Sequence, residues 1–119
     1  IISLHCSLNN GTENLIDLKQ LKRMKPHSLL INTARGGIAN EADVVYAIEQ
    51  NLIGGIAFDV LLEEPPKANS PLLSIVNRDN VILTPHIAWA SEQAMQSLVN
   101  ILADNIEGFL LGKPQNIVS

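Results

Sequence analysis

Three apolar runs in this chain each end in a side chain able to do chemistry. They are residues 29–35 (LLINTAR), residues 55–60 (GIAFDV) with Glu64 soon after, and residues 81–86 (VILTPH). The guanidinium of Arg35 is planar and suits forked recognition of a carboxylate. Gly36 and Gly37, directly after it, let a backbone or a ligand come close. His86 follows Thr84 and Pro85, and Glu63 and Glu64 lie in a loop that can fold over the same edge. A carboxylate beside a histidine stabilises the imidazolium form, making a pair that can give a proton to a carbonyl oxygen or take one from a hydroxyl. Glu64 is held by Pro65, but spacing alone leaves the choice between the two glutamates open. Asp59 closes a run too apolar to hold an unpaired charge cheaply. It reads equally well as a turn residue and as an acceptor for an amide or hydroxyl of a ligand. His5 and Cys6 end the first apolar run and can touch a ligand there. No CxxC or HxxxH spacing accompanies them, so a metal site is not expected.

These groups converge only if the runs are parallel strands of one sheet, because the carboxyl ends of such strands share an edge, and that edge is where open α/β sheets bind ligands. The pattern predicts strands over residues 1–5, 28–33, 56–60 and 81–83. Between the first two, Asp17 and Gln20 match a capping box and Ile16 with Leu21 a hydrophobic staple, opening a short helix that stops before Pro26. Asn40, with Glu41 and Asp43 in the next turn, starts a second helix whose apolar side is Val44, Val45, Ile48 and Leu52. Gly54 and Gly55 are expected to end it. A proline-containing loop covers residues 61–78, long enough inside a domain to suggest function. Ser91 caps a third helix whose face is Ala94, Leu98, Ile101, Leu102, Asn105, Ile106 and Phe109, and Gly112-Lys113-Pro114 stops it. This βαβαβ-loop-βα order predicts an α/β fold, a Rossmann-like parallel sheet with flanking helices.

Composition agrees. The chain has 119 residues, 46% hydrophobic but only 3% aromatic, so the core must be aliphatic. A net charge of −4 offers no basic footprint for nucleic acid, and the apolar runs are shorter than the ~20 residues of a membrane span. The single cysteine, Cys6, fits a reducing compartment, and a cytoplasmic location is expected. No GxGxxG or GxxxxGK[ST] occurs, so the phosphate-cradling half of a nucleotide site is missing from these residues. The opening residues read as a strand already under way and lack an initiator Met, which suggests a piece of a longer protein.

Taken together, NTARGG at 32–37, FDVLLEEP at 58–65 and TPHIA at 84–88 resemble the D-isomer-specific 2-hydroxyacid dehydrogenases. The likeness extends to LHCSL at 4–8, and HIAWAS at 86–91 is most similar to the glycerate dehydrogenase/hydroxypyruvate reductase branch. The resemblance implies the second half of an NAD- or NADP-binding domain over residues 1–119, with 91–119 the closing helix and the start of the return to a substrate domain. It implies that Arg35 binds the substrate carboxylate, that His86 is the general acid/base, and that Glu64 rather than Glu63 is its partner. Asp59 would hold the nicotinamide carboxamide, with Thr33, Ala34, Arg35, His86 and Ala88 lining the cofactor and His5 and Cys6 near its adenosine side. The substrate would be a small 2-hydroxy or 2-keto acid such as glycerate, hydroxypyruvate or glyoxylate, and the full-length protein a homodimer. Ser7 stands where the family usually has proline, and Ala88 where it commonly has glycine. The alternative from another class is a dinucleotide-sensing interaction protein, such as the corepressors that resemble these enzymes, which turnover with hydroxypyruvate or glyoxylate would exclude.

Overall fold

Four parallel strands lie side by side in chain order: β1 (Ile2–Leu4), β2 (Leu29–Asn32), β3 (Gly55–Phe58) and β4 (Val81–Leu83). Their register aligns Leu4 with Asn32, Asn32 with Phe58 and Phe58 with Leu83. The strands therefore stop at one level, and the residues after them emerge along a single edge. The computed structural model describes residues 1–118. It divides into a first unit, Ile1–Ile87, that holds the sheet, and a second that begins at Ala88.

In the first unit the helices are α1 (Leu18–Leu21) and α2 (Glu41–Glu49), with a 3₁₀ turn over Pro71–Ile75. Asp17 caps α1 by accepting from the Lys19 and Gln20 N–H groups, but the reciprocal half of the expected capping box is not made, and Gln20 Oε1 is buried without a partner. Ile16 packs against the core to which Leu21 belongs, and it has a further backbone role. It makes a parallel bridge to Ala39 through the Ile16 N–H to Ile38 carbonyl and Asn40 N–H to Ile16 carbonyl bonds, tying the start of α1 to the start of α2. Asn40 caps α2 through the Asp43 N–H.

The end of α2 differs from expectation. Asn51, at φ 54°, takes the left-handed position, with bonds from Asn51 N–H to the Ile48 carbonyl and from Leu52 N–H to the Ala47 carbonyl. That is a Schellman closure, and asparagine tolerates it through its short polar side chain. Gly54 and Gly55 serve close backbone approach instead. A Cβ on Gly55 would lie 2.6 Å from the Asn80 carbonyl oxygen, and one on Gly54 would lie 2.9 Å from the His27 carbonyl carbon.

The core joins one face of the sheet (Leu4, Leu30, Ile56, Phe58, Val81) to Leu21, Val44, Ala47 and Ile48 of the helices. Leu72 and Ile75 also belong to it, so the second half of the predicted loop is core rather than surface. Ser70-Pro71 was its signal: proline at the first position of a short helix. The opposite sheet face is open at Ile82, which is 60% exposed.

In the second unit, α3 (Glu92–Leu110) is capped by Ser91 through the Ala94 N–H. It ends with Gly112 at φ 69°, with a Lys113 N–H to Gly108 carbonyl bond. No residue of α3 is buried. No helix among the described residues is long and apolar enough to cross a membrane.

The Gly55 contact has a direct consequence. Gly55→Ala must displace the Asn80 backbone or the strand, and overpacking of this kind costs ~1–3 kcal/mol. The midpoint of urea denaturation should fall accordingly, and an unchanged midpoint would contradict the packing described here.

Candidate active site

His86 is placed by a strained turn. β4 ends at Leu83 and Pro85 cannot extend it, so the chain turns back and His86 takes φ 55°, in the left-handed region that non-glycine residues enter at a cost of roughly 1–2 kcal/mol. Asp59 holds that turn from the neighbouring strand. Its carbonyl accepts the His86 N–H at 2.9 Å, while its Oδ1 accepts the Ile87 N–H at 2.9 Å and the Thr84 hydroxyl at 2.5 Å. The Asp59 residue is buried, and these partners satisfy the desolvation that a carboxylate there requires. The turn-residue reading of Asp59 is thus realised in the structure.

The loop after β3 brings Glu64, not Glu63, to the histidine. Glu64 Oε2 lies 2.7 Å from His86 Nδ1, and its Oε1 accepts the Leu61 N–H at 2.8 Å. Glu63 pairs with Lys67 at 2.6 Å in solvent. The bond from His86, then the bond from Leu61, hold the Glu64 carboxyl below its ordinary 4.5, against the opposing effects of partial burial and the charge of Asp59. An ionised Glu64 accepts, so Nδ1 carries the proton in this pair.

Arg35 is exposed, with its Nη1 donating to the Ala34 carbonyl at 2.6 Å. The turn that presents it is clasped by Asn32, a residue that sequence reasoning passed over. The buried Asn32 amide donates to the Arg35 carbonyl at 2.9 Å and accepts from the Ala34 N–H at 3.1 Å. Its signal was present: a polar side chain inside an apolar strand needs a partner, and the nearest backbone supplied it.

Three adjoining clefts run along this edge. One of about 690 Å³ is lined by His5, Cys6, Thr33, Ala34 and Arg35. A second of about 230 Å³ is shared by Arg35, Gly36, Glu64 and His86. A third of about 260 Å³ lies against Asp59, Glu64, Thr84 and His86. His5 Nε2 is 2.8 Å from the Ser3 hydroxyl, and Cys6 is a half-buried free thiol. Ala88 is exposed and belongs to the second unit.

Residues 1–88 match the family described as D-isomer specific 2-hydroxyacid dehydrogenase, NAD binding domain. The chain belongs to this family. It is 49% identical over 118 residues to a glycerate dehydrogenase of Methylorubrum extorquens, covering 99% of this chain and 37% of that protein. Among solved structures, a D-lactate dehydrogenase with NAD⁺ from Lactobacillus jensenii superposes with TM-score 0.89 at 29% identity, over 99% of this chain and 38% of that one. An acyclic imino acid reductase in complex with NADPH and D-Arg gives 0.83 at 36% identity, over 99% and 36%. The chain therefore spans little more than a third of the length of these relatives.

The structure accommodates part of a nicotinamide dinucleotide. The cleft of about 690 Å³ lies at the carboxyl edge of a parallel sheet, with Cys6, Thr33 and Ala34 in its wall beside His5 and Arg35. It offers no glycine-rich loop for the phosphates.

The lowered Glu64 carboxyl fixes a pH dependence. A carboxyl whose folded-state pKa is depressed stabilises the fold fully above about 4.5 and loses that contribution as pH falls through the lower folded value. Glu64→Gln should flatten this acid limb in denaturation followed from neutral pH to pH 3. An identical acid limb in both chains would remove the pair from the account of stability.

Proposed function

We propose that this chain supplies the catalytic side of an NAD(P)-dependent D-2-hydroxyacid dehydrogenase acting on a small acid such as glycerate, hydroxypyruvate or glyoxylate. The observation that carries the reading is the 2.7 Å His86–Glu64 pair in one groove with Arg35. His86 is the general acid/base. With Nδ1 bound to Glu64, the other ring nitrogen, Nε2, gives a proton to the substrate carbonyl oxygen, or takes one from the hydroxyl in the reverse direction. Glu64 sets the tautomer and steadies the charged ring, and Arg35 binds the substrate carboxylate with its forked donors and polarises the carbonyl.

His5, Cys6, Thr33, Ala34, Arg35, Asp59, His86 and Ala88 would hold the cofactor. When bound, NAD or NADP supplies or accepts the hydride. Asp59 combines two tasks in this reading, fixing the His86 turn and presenting a polar group toward the nicotinamide.

Residues 1–119 form, on this reading, the C-terminal half of the NAD(P)-binding domain, with 91–119 the closing helix and the return toward a substrate domain. The half-exposed sheet face and the apolar side of α3, with Leu98 and Ile106 more than half exposed, support that assignment. The working form is taken as a cytoplasmic homodimer. Sedimentation of the complete protein tests its oligomeric state.

The deciding experiment replaces the equivalent segment of the Methylorubrum extorquens relative with these 119 residues. The chimera should oxidise glycerate with a nicotinamide cofactor, and His86→Gln within it should lower kcat by ~10²–10⁴, the usual worth of general acid/base catalysis. A folded chimera whose His86→Gln form retains full kcat would refute the assignment. Arg35→Lys should mainly harm turnover of the carboxylate substrate, because an ammonium cannot reproduce the forked contact. Equal kcat/KM in the lysine variant would remove Arg35 from substrate binding. The 119 residues alone should be catalytically silent, since near-attack geometry needs the opposing half of the site.

A further inference from the structure

Glu41 is the first residue of α2, where an acidic side chain is expected simply to complement the helix dipole. Its carboxylate does something else. Oε1 reaches out of the helix to accept the Leu62 N–H at 2.6 Å, a bond spanning 21 residues of sequence. Leu62 is 70% exposed, so burial does not fix the segment.

The other side of the same peptide unit is fixed as well. The Leu61 carbonyl oxygen lies where a Cβ on Gly36 would stand, 1.9 Å from that position, so it rests against the bare glycine backbone. One peptide plane is thus held from two sides, its C=O by Gly36 and its N–H by Glu41. The preceding N–H, that of Leu61, donates to Glu64 Oε1 and leaves Oε2 to meet His86. Leu62 stands two residues before Glu64, so fixing the Leu61–Leu62 peptide fixes the start of the short segment that carries the Glu64 carboxylate.

We infer that Glu41 is a positioning residue for the acid/base pair: by accepting the Leu62 N–H it fixes the loop from which Glu64 grips His86. This rests on the His86–Glu64 reading above. The decisive property is the acceptor oxygen, not the negative charge, because a hydrogen bond to one backbone N–H is what orients the peptide. A glutamine at this position keeps the acceptor and loses the charge, whereas a methionine keeps the stem and helix propensity and loses the acceptor.

The test uses the full chain labelled with ¹⁵N. The Leu62 amide should be protected from hydrogen exchange in the unsubstituted chain, and Glu41→Met should accelerate its exchange by ~10-fold or more, the worth of a hydrogen bond to a charged acceptor. The His86 ring nitrogens should report a fixed Nδ1–H tautomer in the unsubstituted chain and in Glu41→Gln. In Glu41→Met they should shift toward the averaged signature of Glu64→Gln. Three results would overturn the proposal: an unprotected Leu62 amide in the unsubstituted chain, which needs no variant; a Glu41→Met chain whose ring signature is unchanged although Glu64→Gln alters it; or a Glu41→Gln chain that behaves like Glu64→Gln. If Glu64→Gln itself leaves the ring unchanged, the underlying pair fails, and the Glu41 role fails with it. That outcome is separable because it does not involve position 41.

Discussion

The common level at which the four strands end is the constraint on which the site depends. Parallel ladders align Leu4, Asn32, Phe58 and Leu83 across the sheet, so the turns that follow are neighbours in space although they are far apart in sequence. A register shift of one residue in any strand would turn its side chains to the other face. It would also move Arg35, Asp59 or His86 by about 3.3 Å along the strand axis, more than a hydrogen bond can absorb. The aliphatic core on one face of the sheet, from Leu30 and Ile56 to Val44 and Ile48, fixes that register.

On this edge, each candidate side chain sits on or beside backbone that is held by hydrogen bonds. Asn32 clasps the turn that presents Arg35, Asp59 brackets the turn that presents His86, and the Leu61 N–H holds one oxygen of Glu64. The two buried polar side chains among these, Asn32 and Asp59, each hydrogen-bond a neighbouring turn. Unsatisfied, they would destabilise the sheet; satisfied, they convert burial into orientation. The positive φ of His86 follows the same logic, a local strain sustained because Asp59 determines the turn from both its backbone and its side chain.

The family match and the compact first unit run out at the same place, residues 88 and 87 respectively. The His86–Glu64 pair, Arg35 and the three clefts along the sheet edge lie before that point. α3, with no buried residue, lies after it.

Much was determined by sequence alone, where the determinants are local. The strand and helix order, the caps at Asp17, Asn40 and Ser91, and the stop at Gly112 follow from short-range periodicity and side-chain-to-backbone bonds, which a linear reading captures. So does the family, because its motifs are contiguous. Only the tertiary structure decided the rest. That α2 ends on Asn51 while Gly54 and Gly55 serve close backbone approach depends on His27 and Asn80. That Leu72 and Ile75 are core depends on α2 lying beneath them. Which of Glu63 and Glu64 meets the histidine is likewise decided by the fold, with Glu63 paired to Lys67 and Glu64 to His86. The Glu41 contact is also invisible in sequence, since its partner is a backbone group 21 residues away. Hydrogen bonds between distant segments exist only once the sheet has set their distance, and no spacing rule encodes them.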